Sequence, residues 1–296
     1  MKNIVIHIIL FIIRNLTRTA PFLIYILLWK TEVFLKYIIR YRSKVIFTNL
    51  KRSFGNQYDD KQIKKIQNEY YHVLIRYIRE TLYIISYDLK TLKSKIKLAE
   101  SDKWLSFLSA QKSTIVTASH YGNWEMNMVM LPAFIQQRVV AFYKPISDKT
   151  VDGIMLKIRS AYGLELHPIE QTARIMSKYK AENVLYIFIG DQSPLNMNGV
   201  YWNTFLHQDT PWLTGAEKLA RKFNYPILYL KQQPQADGIM SYILQFQSIT
   251  EHPELEAPGE ITEQYSRILE KEIEGQPAFW LWSHKRWKRA HLKELK

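Results

Sequence analysis

The stretch TIVTASHYGNWE, residues 114–125, holds a β-rich run, a turn and the start of a helix within twelve residues. Residues 114–118 are rich in β-branched side chains, Gly122 can form the turn, and Asn123 is of a type that caps helices. In open α/β sheets the chemistry lies at the carboxyl ends of the strands. His120 follows this predicted strand directly and is therefore the first candidate for a functional side chain.

Outward from this stretch, β-rich runs and helical patterns alternate along the chain. The β-rich runs are residues 139–143, 164–167, 184–189, 227–230 and 242–246, and the helical patterns are residues 124–136, 149–162, 172–180 and 212–223. A longer helical pattern covers residues 58–87, and residues 252–259, with two prolines, form the best loop candidate. This alternation predicts an α/β fold with a mainly parallel central sheet flanked by helices.

The residues after His120 suggest acid–base chemistry. Glu125 lies five residues on, in the first turn of the helix that Asn123 is predicted to cap, where the helix dipole favours an ionised carboxylate. A carboxylate that holds an imidazole in one tautomer leaves the other ring nitrogen free to take a proton. The spacing alone is unspecific, since about one such match is expected by chance. Its place between strand and helix makes it informative, and we interpret His120 as a general base oriented by Glu125.

Two apolar runs at the N-terminus, residues 3–13 and 20–29, flank a polar segment with Arg14 and Arg18. Neither run reaches the roughly 20 residues of a spanning helix. No small-residue cleavage site follows the first run, which argues against a signal peptide. We predict a helical membrane anchor over residues 1–30, spanning or lying in the interface, and a catalytic domain over residues 31–296. An ordinary buried helix is the alternative reading of the first segment.

The composition limits the classes of partner and of chemistry. Lys and Arg number 41 against 27 Asp and Glu, a formal charge of +14, which suits nucleic acid, an anionic membrane surface or an acidic protein. The chain has no cysteine, so disulfides, thiolate zinc sites and cysteine nucleophiles are excluded. Neither a GxGxxG nor a GxxxxGK[ST] pattern occurs, so the sequence fingerprints of dinucleotide-binding and P-loop proteins are absent.

Several further motifs occur in a fixed order around the HYGNWE stretch. They are Tyr41-Arg42 with Asn49-Leu50, Tyr143-Lys144-Pro145 with Asp152, Arg159 and Gly163, Gly190-Asp191-Gln192 with Pro194, Thr210-Pro211 with Gly215, and Trp280-Leu281-Trp282 with His284-Lys285-Arg286. In this succession the chain resembles the lipid A late acyltransferases, the lauroyl and myristoyl transferase family with its HxxxxD/E motif.

The resemblance implies a reaction, two substrates and a location. The donor is a fatty acyl thioester on acyl carrier protein, and the acceptor is a hydroxyl of a membrane lipid, foremost a lipid A precursor. His120, oriented by Glu125, deprotonates this hydroxyl, which attacks the thioester directly in a ternary complex. The resemblance implies no cofactor and no metal. It places the enzyme at the cytoplasmic face of the inner membrane, with an anionic membrane surface as a further partner.

Other residues of these motifs are candidates for substrate binding. By analogy with the family's arginine, Arg159 is the candidate for stabilising the oxyanion, and Asn123 also belongs to the predicted binding set. Lys144 ends its own predicted strand and can hold a phosphate. Asp191 ends the most apolar strand, where an acid either contacts substrate or caps a loop. Lys144 stands where the family usually has an arginine, so the bidentate fork is lost.

A further departure is Asp148, which stands where the family commonly has an asparagine. Both departures bear on the acceptor, which leaves a lyso-aminolipid or a lysophospholipid as an alternative with the same chemistry. The competing hypothesis belongs to another class of function: a non-catalytic basic protein that binds an anionic membrane or nucleic acid. The N-terminal segment favours the membrane enzyme, for which no nucleic acid partner is expected.

Three smaller alternatives concern single features. The cluster of tryptophans and basic residues at 280–289 suits an interfacial belt, a face for the carrier protein, or a core in which only the cations are exposed. A zinc hydrolase lacks a third ligand beside His120 and Glu125. Ser119 is a nucleophile by residue type, but no G-x-S-x-G turn surrounds it.

Overall fold

The computed structural model describes residues 2–110, 113–235 and 241–293, with side chains from residue 11 onward. Its helices are α1 (Lys2–Thr19), α2 (Pro21–Val33), α3 (Ser43–Phe54), α4 (Asp60–Ser86), α5 (Leu89–Lys93), α6 (Ser101–Ala110), α7 (Trp124–Met130), α8 (Lys149–Arg159), α9 (Thr172–Lys178), α10 (Gly215–Phe223) and α11 (Glu260–Gly275). Its strands are β1 (Ile96–Leu98), β2 (Ser113–Ala118), β3 (Arg138–Tyr143), β4 (Glu165–Pro168), β5 (Val184–Ile189), β6 (Tyr201–Phe205), β7 (Gln208–Trp212), β8 (Ile227–Pro234) and β9 (Tyr242–Thr250).

The central sheet has seven strands in the order β1-β9-β8-β2-β5-β3-β4. Every neighbouring pair is parallel except β8 and β9, which are antiparallel. The predicted α/β class with a mainly parallel sheet is thereby confirmed. Strands β6 and β7 form a separate antiparallel hairpin.

Two hydrophobic cores lie on opposite faces of this sheet, because successive side chains of a strand point to opposite sides. On β2, Ile115 joins one core and Val116 the other, and on β5, Tyr186 and Leu185 divide in the same way. The first core includes residues of α3, α4, α9, α10 and α11, and the second includes residues of α5, α6 and α7. Coverage of both faces explains why β2 is buried along its whole length.

Several boundaries differ from the sequence prediction, and three strands were not predicted. The helix predicted over residues 124–136 ends at Met130 and continues as a 3₁₀ turn containing Pro132, which lacks the backbone N–H of a regular helix. The helix predicted from residue 212 begins at Gly215, because Trp212 belongs to the β6–β7 hairpin. The hairpin and the short strand β1 were not predicted.

The N-terminal segment is helical, as predicted. Its second helix, α2, packs on α4 through Ile24, Leu28 and Ile75, and runs into a π-helical turn at Phe34–Ile38. Arg18 donates from Nε to the carbonyl of Ser86, so this arginine contacts the end of α4.

In the described part of the chain no single helix combines the length and apolarity needed to cross a bilayer. The pair Phe11–Thr19 and Pro21–Ile38 meets the criterion only when taken together, with a bend of 111° between the two. The membrane anchor and the domain boundary at residue 30 stay predictions.

Candidate active site

The register of two central strands brings His120 and Asp191 together. In the parallel pair β2–β5, Ala118 lies opposite Ile189. His120 and Asp191 each follow by two residues, so both lie just beyond the carboxyl edge of the sheet. This edge is where the strand ends of an α/β sheet leave room for a ligand.

The carboxylate of Asp191 accepts three hydrogen bonds. Oδ1 lies 2.6 Å from Nδ1 of His120, while Oδ2 accepts from the backbone N of His120 at 2.9 Å and from Nε1 of Trp280 at 2.8 Å. Burial by itself raises the pKa of Asp191, but the charge and hydrogen bonds of His120 and the indole of Trp280 outweigh it, so the pKa lies below its ordinary value. Asp191 is therefore held as a buried carboxylate.

These contacts select one tautomer of the His120 ring. A carboxylate only accepts hydrogen bonds, so Nδ1 carries the proton that points to Asp191. The side-chain amide Nε2 of Gln192 lies 3.0 Å from Nε2 of His120 and donates to it. The indole of Trp124 contacts the ring edge-on, with centroids 4.9 Å apart. The side chain of His120 is 15% exposed, and a substrate hydroxyl that uses its basic nitrogen takes the place of the Gln192 amide.

Glu125 does not orient His120, which corrects the prediction from the sequence. Glu125 lies in the first turn of α7 as predicted, but its two oxygens accept from Nε and Nη2 of Arg159, the first at 2.8 Å. The partner of the imidazole is Asp191 instead, because β5 lies next to β2 and supplies its own carboxylate. Glu125 and Arg159, predicted separately, thus form one bidentate ion pair on the α7 side of the site.

Asn123 caps α7 as predicted, and both of its polar groups are used inside the protein. Its Oδ1 accepts from the backbone N of Met126 at 3.1 Å, and its Nδ2 donates to the buried carboxylate of Glu80 at 2.9 Å. Glu80 also binds Arg76 and the hydroxyl of Tyr242. Asn123 therefore ties the turn that carries His120 to α4, and its place in the substrate-binding set stays a prediction.

Lys144 follows β3 directly, as predicted, and is exposed. Its ammonium group forms no ion pair or hydrogen bond with any residue in the described ranges. It is available to an anionic group that approaches this edge of the sheet.

The C-terminal cluster of tryptophans and basic residues at 280–289 packs in the core next to the turn that carries His120. The side chains of Trp280, Trp282 and Trp287 are buried, which excludes them from an interfacial belt and supports the reading in which they pack in the core. Lys285 and Lys288 are exposed. Gly122 donates to the carbonyl of Phe279 at 3.1 Å, so this segment also fixes the turn that carries His120.

Two further residues of the motif are ionisable groups close to the dyad. His284 accepts from the backbone N of Ser193 at 3.0 Å, and burial lowers its pKa to about 4, so its ring is neutral at pH 7. Arg286 is fully buried, with its guanidinium 4.5 Å from the ring centre of Trp212, and burial lowers its pKa to about 10. It remains a cation at pH 7.

Two other kinds of site that the sequence analysis considered are a serine nucleophile at Ser119 and a metal site. Ser119 is buried, and its hydroxyl lies 3.0 Å from the hydroxyl of Tyr229. No group of three or more histidine and acid side chains in the described ranges is placed to hold a metal ion.

The comparison with protein-family models gives a match over nearly the whole chain. Residues 2–289 match the model of the bacterial lipid A biosynthesis acyltransferases. The chain belongs to this family. It is therefore an acyltransferase of lipid A biosynthesis, as the resemblance implied. No curated protein matches the chain significantly.

An apolar cavity of about 280 Å³ lies beside the His120–Asp191 pair of the acyltransferase. Its walls include residues from the end of β5 and from α10 and α11: Phe188, Ile189, Gly190, Leu219, Ile261 and Tyr265. Gly190 immediately precedes Asp191, and Tyr265 donates to the carbonyl of Ala118 at 3.0 Å. The cavity is thus connected to the ends of both strands that carry the dyad.

The sequence analysis of the acyltransferase missed Gln192, Trp124 and Trp280 as neighbours of the dyad. Gln192 and Trp124 each stand within a few residues of a strand end, so their positions gave a local signal. Trp280 lies 89 residues from Asp191 in the chain, and only the folded structure joins them.

Proposed function

We propose that this acyltransferase moves a fatty acyl chain from acyl carrier protein to a hydroxyl of a lipid A precursor, at the cytoplasmic face of the inner membrane. The observation that carries the proposal is the His120–Asp191 pair, with its basic nitrogen directed away from the carboxylate and an apolar cavity next to it. A base for a hydroxyl and a space for an alkyl chain are the two elements that this reaction needs.

The tautomer defines the order of proton transfers. Nε2 of His120 takes the proton of the acceptor hydroxyl, and the oxygen attacks the thioester carbonyl in a ternary complex. The tetrahedral intermediate collapses, the carbon–sulfur bond breaks, and Nε2 returns the proton to the thiol of the carrier. Asp191 keeps Nδ1 protonated and stabilises the imidazolium that forms in between. In this proposal Asp191 takes the role that the sequence had given to Glu125.

Negative charge on the tetrahedral oxygen requires donors in a fixed position. We assign this to Arg159, because its bidentate pair with Glu125 holds the guanidinium against the first turn of α7, next to the turn that carries His120. Glu125 in this reading positions Arg159. The exposed Lys144 is assigned to a phosphate of the acceptor or of the carrier.

The membrane location is supported by exposed apolar side chains on α2 and the segment after it. Phe22, Leu27, Trp29, Tyr37 and Ile38 are each more than half exposed. Large exposed apolar patches of this kind mark sites that bind a partner or a membrane. Cationic residues lie within the same segment or just after it: Lys30, Lys36, Arg40, Arg42 and Lys44. Their charge suits an anionic leaflet.

The test is transfer by the purified enzyme from acyl-acyl carrier protein to a lipid A precursor, followed by mass spectrometry. The wild type is expected to add one acyl chain, and His120→Ala to lose the activity. His252→Ala, which changes an exposed histidine in a loop, is the matched control and is expected to act like the wild type. Transfer to a lyso-aminolipid or a lysophospholipid but not to lipid A would keep the chemistry and change the acceptor. Undiminished transfer by His120→Ala would refute the proposed base.

A further inference from the structure

A second pocket, of about 290 Å³, opens at the same edge of the sheet beyond the end of β8. Because Thr117 pairs with Tyr229, the later residues of β8 extend past the end of β2 toward the turn of His120. Tyr121, next to His120 in the chain, forms one wall of this pocket. The pocket is thus adjacent to the catalytic turn but separate from the apolar cavity.

A buried carboxyl group lines this pocket with one oxygen unpaired. Glu272 is 8% exposed, and its Oε2 accepts from the hydroxyl of Tyr229. Its Oε1 is buried without a hydrogen-bond partner, while the charge of Lys231 and the backbone of Gln232 act on the carboxyl group as a whole. Buried polar atoms are nearly always hydrogen-bonded in native proteins. The unpaired oxygen therefore points to a ligand that donates a hydrogen bond.

Two lysines and two glutamine amides also line the pocket: Lys231, Lys271, Gln233 and Gln276. The ammonium groups of both lysines are without an ion pair or hydrogen bond to any residue that the structure describes. The same holds for the side-chain amides of the two glutamines. The pocket therefore combines two cations, of which Lys231 also acts electrostatically on Glu272, with neutral groups that can both donate and accept.

Each of these groups suits a different part of one ligand. Ammonium groups bind phosphate oxygens through charge-assisted hydrogen bonds, whereas amides and a carboxyl group bind hydroxyls. The volume is near the lower end of the roughly 300–1,000 Å³ of small-molecule sites. We propose that this pocket binds a phosphorylated sugar. This proposal rests on the proposed function: the pocket holds the headgroup of the acceptor lipid while the acceptor hydroxyl reaches His120.

Binding is tested on the full-length protein by NMR titration with glucose 1-phosphate, inorganic phosphate and methyl glucoside. Glucose 1-phosphate is expected to bind more tightly than either fragment. The double variant Lys231→Gln/Lys271→Gln should weaken it by about tenfold or more, since two charge-assisted bonds are lost. The matched control is Lys180→Gln/Lys222→Gln, which removes two exposed lysines outside the pocket and should bind as the wild type does.

Two results overturn this proposal. Unchanged affinity in the double variant, or no binding at all, removes the pocket as the site. Equal affinity for glucose 1-phosphate and inorganic phosphate shows that free phosphate is bound and that the sugar is not recognised.

Kinetics separate this proposal from the proposed function. The lysine double variant is expected to raise the KM for the lipid acceptor by about tenfold with kcat little changed, because the lost contacts act on binding. His120→Ala should bind glucose 1-phosphate normally while transferring no acyl chain. Sugar phosphate binding without any acyl transfer by the wild type would reject the proposed function and keep the pocket. Transfer without sugar phosphate binding would reject the pocket alone.

Discussion

Asp191 binds His120 twice, through the ring nitrogen Nδ1 at 2.6 Å and through the backbone N at 2.9 Å. One carboxylate therefore fixes both the orientation of the imidazole and the position of the backbone that carries it. This arrangement depends on two strands ending at the same level of the sheet, since Ala118 and Ile189 lie opposite one another. The side chain two residues beyond each strand then faces the other.

Asp191→Asn should lower kcat by about 10²–10⁴ with little change in the KM of either substrate. The amide has nearly the same shape, but its NH₂ group faces Nδ1 and favours the tautomer in which Nε2 carries the proton, so the base is lost. Steady-state kinetics with both substrates varied would measure this. Circular dichroism must show a folded protein, because a loss of folded enzyme also lowers the apparent kcat. A kcat within threefold of the wild type would contradict the role of Asp191 as the positioning residue.

Glu125 and Arg159 should behave as one unit in a double-mutant cycle. Glu125→Gln breaks the bidentate pair, and Arg159→Lys removes the planar fork, so each single change should lower kcat by about tenfold to a hundredfold. The double variant should lose little more than the worse single variant, because residues of one unit are not additive. Additive losses would instead indicate that Glu125 contacts substrate independently of Arg159.

Local sequence patterns were sufficient to predict the sheet strands around the site and three features of the site itself. His120 at a strand end, Asn123 as a helix cap and Glu125 in the first turn all depend on residues within one short stretch. The partner of His120 depends on strand order, since β5 lies between β2 and β3 although it follows both in the chain. No local pattern encodes that order, which is why the nearest acid in sequence was chosen over Asp191.

The missed hairpin has a different explanation. Its two turn residues, Leu206 and His207, both have positive φ, at 47° and 62°. A two-residue turn of this kind is usually signalled by Asn-Gly or Asp-Gly, because those residues adopt the conformation most easily. The chain has neither there, so the usual signal for two strands is absent. Burial of Leu206 and of two aromatic residues of the hairpin, Phe205 and Trp212, supplies the stabilisation instead.

Glu272 should make stability depend on pH in a direction opposite to that of most acids. Burial raises its pKa from 4.5 to about 7 in the folded protein. The folded state therefore holds this proton more tightly than the unfolded state, so the contribution is complete below pH 4.5 and is lost as the pH rises through about 7. The loss is about 3 kcal/mol for a shift of this size.

The measurement is urea unfolding of the wild type and of Glu272→Gln at several pH values. The free energy of unfolding of the variant minus that of the wild type should increase by about 3 kcal/mol between pH 4.5 and 8. Taking this difference cancels the titration of all other groups. A difference that stays constant over this range would show that Glu272 titrates in the folded protein as it does in the unfolded chain.

Membrane binding should depend on the exposed apolar side chains of the N-terminal segment. Phe22→Glu/Tyr37→Glu places two charges on side chains that are 69% and 62% exposed, so the fold should be retained. Burying one large apolar side chain contributes about 1.5–3 kcal/mol, and the variant should bind anionic vesicles at least about tenfold more weakly. Leu255→Glu, at an equally exposed leucine in the loop before α11, is the control. Equal flotation of both variants with phosphatidylglycerol vesicles would exclude this segment as the membrane contact.

The apolar cavity should determine which acyl chains are transferred. Ala216 lines the cavity at the first turn of α10, and Ala216→Leu adds three carbons to a space of about 280 Å³. The added carbons occupy space that the acyl chain of a long donor would fill. The kcat/KM for a long donor, divided by the kcat/KM for a shorter donor, should therefore fall by roughly tenfold, because each buried CH₂ contributes about 0.8 kcal/mol. Competition between acyl-acyl carrier proteins of 14 and 10 carbons would measure the ratio directly, free of differences in active enzyme. Ala257→Leu, at an exposed alanine before α11, is the matched control and should leave the ratio unchanged. An equal ratio for Ala216→Leu and the wild type would place the acyl chain elsewhere in the protein, because a filled cavity cannot accept the same chain.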